Sequence, residues 1–154
     1  MKTADKVNMD QKRRTMFTSV NSRSVNTYKA VAVETAIPYG DPHRLVEMMF
    51  DSVLTSVTAA RAALAMGDIQ TKSKHISSAI RVLNDGLVSS LNFEAGGDIA
   101  VDMNRLYDFC NIRLTTGNAR NDDAALADVV HVLEPIAQAW KQIGSGPGDA
   151  SRLM

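Results

Sequence analysis

Cysteine is almost missing from this chain. Cys110 stands alone among 154 residues, so no intramolecular disulfide can form, and a reducing compartment suits such a protein. Charge of one sign is missing too: Lys+Arg and Asp+Glu both number 17, which argues against the basic excess of a nucleic-acid binder. No apolar run approaches the ~20 residues of a membrane span, and the N-terminus has charges but no apolar segment of a signal peptide. Period-2 alternation between turn signals is absent, so no strand is expected. Aromatics make up only 5% while methionine occurs eight times, which points to an aliphatic, adaptable interior or surface.

What is present is helical periodicity. The strongest stretch is 41–66, DPHRLVEMMFDSVLTSVTAARAALAM. Asp41 can cap backbone N–H groups and Pro42 suits a first helical turn. Val46, Phe50, Val53, Val57, Ala60 and Leu64 form its stripe, with Leu45, Met49 and Leu54 beside it, so the apolar arc is wide. Gly67 is a stop and Asp68 a new cap, a joint short enough for an antiparallel hairpin. The next helix is expected over 69–91, with Ile69, Ile76, Ala79, Ile80, Leu83, Leu87 and Leu91 on one face. Gly86 inside it reads as close packing.

Residues 92–97 read as a loop ending in a glycine pair, and Asp98 as the cap of a helix marked by Ile99, Met103, Leu106, Cys110 and Leu114. Gly117-Asn118 is expected to end that helix. Asn121 or Asp122 then caps the last one, whose face is Leu126, Val130, Leu133, Ala137 and Trp140. Pro135 should kink it about one turn earlier, near His131. Before all this, residues 1–24 are polar and read as a mobile extension, with a docking helix over 9–17 as the alternative. Residues 25–37 read as a short helix ended by Pro38, and 144–154 as a disordered tail. The expected fold is all-α: an antiparallel four-helix bundle of long helices with an additional short N-terminal helix, one domain over 25–143.

Catalytic chemistry finds no footing. His43, His75 and His131 fall on separate helices without HExxH spacing or clustered cysteines. A di-iron bundle needs Glu-x-x-His on two helices, and Asp128-x-x-His131 is the nearest approach. The tail's GSGPGD lacks the Lys-Ser/Thr of a phosphate loop. Asp122 and Asp123 suit a helix N-terminus, and Cys110 lies on an apolar stripe as a small hydrophobe. No enzyme, cofactor or metal is expected.

Several stretches resemble one family. GDIAVDMNRLYDFCNIRL (97–114) resembles the "GGEIA…NL…LYDY…RL" segment of flagellar secretion chaperones, the FliS family. VNTYKAVAVETA (25–36) is similar to the family's N-terminal tyrosine segment, and DPHRLVEMMFDSVL (41–54) to its "SPHQLIEMLFDG" helix start. NARNDDAALADVVHVLEPIAQAWKQI (118–143) resembles its last helix. The departures are a longer N-terminus, Asp41 for the usual serine, Phe109 where tyrosine is common, and Pro135.

The resemblance implies a cytoplasmic chaperone that binds the C-terminal segment of flagellin. That segment is disordered in the monomer and wraps around the bundle, which prevents early polymerisation and helps delivery to the flagellar type III export gate. No cofactor is implied, and neither a nucleic-acid partner nor insertion into a membrane is expected. Val25 and Tyr28 correspond to the family's N-terminal residues implicated in flagellin binding or in covering the empty groove, and 25–36 is expected to act as a movable cover. The expected groove or its lid comprises Val25, Tyr28, Val46, Met49, Phe50, Ile80, Leu83, Leu87, Met103, Leu106 and Tyr107. Met48, Met49, Met66 and Met103 would let it adapt. An amphipathic client needs such an elongated apolar surface. A second reading is a regulator that sequesters an anti-sigma or other control factor through charged faces, Glu47, Asp51 and Arg61, or Lys72, Lys74 and Arg81.

Overall fold

The computed structural model describes residues 41–145. The expected N-terminal extension, the short helix with Val25 and Tyr28, and the tail beyond Ser145 lie outside the described residues.

Four helices follow one another, and no strand occurs among the described residues. Helix α1 spans Pro42–Ala65, and Asp41 caps it by accepting from the Arg44 N–H at 3.1 Å. Its turn to α2 (Ile69–Arg81) is the one the residues predict. Gly67 takes φ 72°, a left-handed value that suits glycine. The Asp68 N–H closes onto the Ala63 carbonyl at 2.9 Å, and the Asp68 side chain accepts from the Thr71 N–H at 3.1 Å. That capping, by the side-chain bond first, draws the Asp68 carboxyl below its ordinary value.

The second helix does not stay α-helical to its expected end. After Arg81 it widens into a π segment, Val82–Val88. Gly86 is buried in that segment, which packs against α1. Ser89 Oγ donates to the Asn84 carbonyl at 2.9 Å and Ser90 Oγ to the Leu87 carbonyl at 2.8 Å. Side chains thus satisfy carbonyls at the end of the widened turn.

Helix α3, Phe93–Arg120, starts earlier than expected. Asn92, not Asp98, is the cap, its Oδ1 accepting from Glu94 and Ala95 N–H at 3.1 Å each. Residues 93–96 form a helical turn, and Gly97 (φ 49°, ψ −125°) breaks the axis before the long run begins. A left-handed φ with that ψ needs a residue without Cβ. The helix also ends later, because Gly117 is a packing residue rather than a stop. A Cβ there would stand 2.5 Å from Leu126 Cδ2. Asn121, at φ 51°, provides the left-handed C-cap instead.

Asp122 is the cap of α4 (Asp123–Ser145), accepting from Ala124 and Ala125 N–H at 3.0 and 3.3 Å. This helix continues through Pro135 to Ser145. Glu134, Pro135 and His131 are exposed, so the carbonyl left without a donor by the proline faces water, where it costs little.

The helices run up and down, with α1 against α2 and α4, and α3 against α4 and, less extensively, α2. α1 and α3 lie diagonally across the core. There Met49, Phe50, Val53, Val57 and Ala60 meet Ile76, Leu83, Leu87, Tyr107, Cys110, Leu114, Leu126 and Leu133. The ends are tied as well. His43 stacks on Trp140 at 4.5 Å and 8°. Its Nε2–H donates to the Trp140 carbonyl while the indole N–H donates to the His43 carbonyl, both at 2.9 Å.

Cys110 is fully buried, and burial pushes its thiol up to about 12. The native protein should therefore not react with Ellman's reagent at pH 8, and reactivity should appear only with unfolding. An unfolded thiol titrates near ~8.5. The raised folded value means its contribution is intact below that pH and is lost as pH climbs towards 12. Stability measured by denaturant should fall over that alkaline window.

Candidate interaction surface

The residues expected to line a groove fall into three groups. Met49, Phe50, Leu83, Leu87 and Tyr107 are sealed in the core, each at most 3% exposed. They are what the wide arc of α1 needs in order to pack against two neighbours. Val46, Ile80, Met103 and Leu106 are half-buried on the rim of that core. Val25 and Tyr28 lie outside the described residues.

The accessible apolar surface is concentrated on α3 instead. Val101, Phe109 and Ile112 are 40%, 41% and 64% exposed, and Ile99 is 73% exposed nearer the helix start. At ~100° per residue, Val101, Arg105, Phe109 and Ile112 form one stripe on the side away from the core residues Tyr107, Cys110 and Leu114. An apolar stripe with no partner marks an interaction surface more often than chance does. Sequence reasoning followed the inward stripe and passed over this one. The signal was there: apolar residues at 101, 109 and 112 do not belong to the 99–103–106–110–114 series, so α3 is greasy on two faces.

Several of the charged groups are paired within the chain. Arg44 meets Glu47 at 2.9 Å, Lys141 meets Asp51 at 3.0 Å, and Arg113 meets Asp128 at 2.9 Å. Arg61 donates twice to Asp123, at 2.8 and 3.0 Å. Those bonds raise the Arg61 guanidinium and lower the Asp123 carboxyl from their ordinary values. Lys72 is not on a solvated face as its sequence neighbours suggest. It is 1% exposed, and its Nζ donates to the Asn118 carbonyl at 2.8 Å and to Asn121 Oδ1. Both acceptors belong to the C-terminal end of α3, where the helix dipole favours a cation. The spacing 72–76–79–83 does put Lys72 on one face with Ile76, Ala79 and Leu83, but a lysine there reads as solvated until the end of another helix is known to lie over it. Among the described residues no group of three or more His, Cys, Asp or Glu could hold a metal ion, and no helix is long and apolar enough to cross a membrane.

The family model for the flagellar protein FliS matches residues 24–147. The chain belongs to the FliS family. It is 40% identical over 119 residues to the flagellar secretion chaperone FliS of Salmonella typhimurium, covering 77% of this chain and 88% of that protein. The FliS of Vibrio cholerae is 33% identical over 120 residues, with coverage of 78% and 88%, and that of Escherichia coli 31% over 121 residues, with 79% and 89%. The relatives carry the name of flagellar secretion chaperones, and chaperones are not an enzyme class. The match begins at residue 24, so residues 1–23 lie outside the matched stretch.

Proposed function

We propose that this FliS-family protein is a cytoplasmic chaperone for the C-terminal segment of flagellin. It keeps that segment from polymerising and helps deliver the subunit to the flagellar type III export apparatus. The observation that carries the reading is the outward stripe of α3, Val101, Phe109 and Ile112, left open to water in a protein of a secretion-chaperone family. A disordered client that folds into amphipathic helices needs such a surface, and covering it is the driving force of the complex. The half-buried residues Val46, Ile80, Met103 and Leu106 lie on the rim of the core, apart from that stripe, and belong to the same proposal as a second contact region. The core residues Met49, Phe50, Leu83, Leu87 and Tyr107 support the rim, and they would touch a client only if the helices part. Val25 and Tyr28, matching the family's tyrosine segment, belong to the same proposal as a cover over the empty site. The export gate component is its second partner, and no cofactor enters.

The alternative, a regulator that sequesters an anti-sigma factor through charged faces, is less well supported, because Glu47, Asp51 and Arg61 already hold partners of opposite sign within the chain.

Mixing the protein with the last ~40 residues of flagellin, enough helix to exceed the ~40 Å length of α3, should give a single one-to-one peak in size exclusion. Separate peaks at micromolar concentrations would overturn the reading.

A further inference from the structure

The flank of α3 that faces α2 carries asparagine at 104, 111 and 118. Heptad spacing keeps these three on one side with a drift of only ~20° per step. The lower rung is filled: Asn118 Oδ1 accepts from Ser73 Oγ at 2.9 Å, and the Asn118 carbonyl accepts from Lys72. The middle rung is filled: Asn111 Nδ2 donates to Asn84 Oδ1 at 2.7 Å, and Asn84 Nδ2 returns the bond at 3.3 Å. The upper rung is not. Asn104 is half-buried and makes no side-chain hydrogen bond with any described residue.

The reason is visible in the opposing strand of chain. One heptad above Asn111 is ~10 Å along the axis. The same rise from Asn84 leads past the π segment, which ends at Val88, into the turn before α3. The polar side chains of that turn are spent locally: Ser89 on the Asn84 carbonyl, Ser90 on the Leu87 carbonyl, and Asn92 Oδ1 on the Glu94 and Ala95 N–H groups. On α3 itself the residues one turn away are Ala100, Val101, Tyr107 and Asp108, and no hydrogen bond of the Asn104 side chain to any of them is formed. The Asn104 carboxamide, carrying both donors and an acceptor, is thereby left with water alone to bond.

We propose that Asn104 is a main-chain anchor for the client: its carboxamide bonds a peptide unit of the bound segment where that segment crosses the top of the α2–α3 seam. This rests on the flagellin reading above and adds to it a sequence-independent polar contact. A peptide unit is the natural partner, since it offers the same donor–acceptor pair as the Asn84 carboxamide that meets Asn111. A client arriving disordered brings peptide groups that no helix has yet satisfied. Binding sites that are mostly apolar use a few such groups to fix orientation.

The test is a calorimetric titration of the C-terminal ~40 residues of flagellin, the length chosen above from the helix dimensions, into the wild type, Asn104→Ala and Asn104→Leu. Each variant should bind about three- to tenfold more weakly, the range of one net hydrogen bond. The melting temperature of the client-free variants should match the wild type, because no internal bond is lost. Alanine is the strongest helix former and adds no volume to a half-buried site, so it guards against a leucine variant that misfolds. In isotope-labelled protein the Asn104 side-chain amide resonances should shift on saturation while those of Asn118 stay. If the wild type binds and both variants bind within twofold of it, the anchor is overturned and the chaperone reading stands. If the wild type itself fails to bind, both fall together.

Discussion

Replacing Phe109 and Ile112 together by aspartate should abolish flagellin binding while leaving the bundle folded. These side chains sit at 41% and 64% exposure on the outer stripe of α3, so neither is a keystone of the core. The folded stability should change by no more than about 1 kcal/mol, as for surface positions. Binding should suffer far more. Large apolar side chains at the centre of an interface commonly contribute ~2 kcal/mol or more each, and aspartate would add a charge that must be desolvated to dock. The expected loss is at least about a hundredfold in Kd, read by titration of the client segment, with circular dichroism and thermal melting as the folding control. Val101→Asp should act in the same direction. An affinity unchanged in the double variant would remove the α3 stripe from the client surface and leave only the half-buried rim.

The second large effect concerns Lys72. Lys72→Glu should unfold the protein or cost it about 3–5 kcal/mol, the range for an uncompensated buried charge. The lysine ammonium lies against the Asn118 carbonyl and Asn121 Oδ1. A carboxylate would face acceptors on every side at the negative end of the α3 dipole. Lys72→Met keeps the length and apolar stem but deserts the two acceptors, and should cost about 1–3 kcal/mol. Urea melts of the two variants should preserve this order, glutamate well below methionine. Equal and small losses would mean that the end of α3 is satisfied by water and that Lys72 is dispensable.

Much of the architecture could be read from the residues because its determinants are local. Asp41-Pro42 and Gly67-Asp68 begin and end helices through side-chain oxygens, a missing N–H and a left-handed φ, all within a few residues of one another. The inward stripes at spacings of three and four ran through Val53, Val57, Ile76, Leu114 and Leu133, all buried in the core. Errors arose where one residue type serves two purposes. Gly97 and Gly117 both read as punctuation. One permits a break inside α3, and the other makes room for Leu126. Asn92 and Asp98 are both competent caps, and the turn that fits in front of Gly97 decided for Asn92. The expected groove followed the widest apolar arcs, yet an arc is wide either because a client covers it or because two neighbouring helices do. For Met49 and Leu83 it was the neighbours.

The order of helices, their polarity, their core stripes and the family likeness are properties of the chain itself, since periodicity and capping act over a few residues. Three features are set by how the helices meet. The cation of Lys72 is buried because the end of α3 lies over it. The upper asparagine of α3 is unpaired because the chain opposite has already turned away. The second apolar face of α3 is open because its neighbours all pack against the first. Packing between distant segments decides which apolar and polar groups water can still reach, and no stretch of sequence carries that alone.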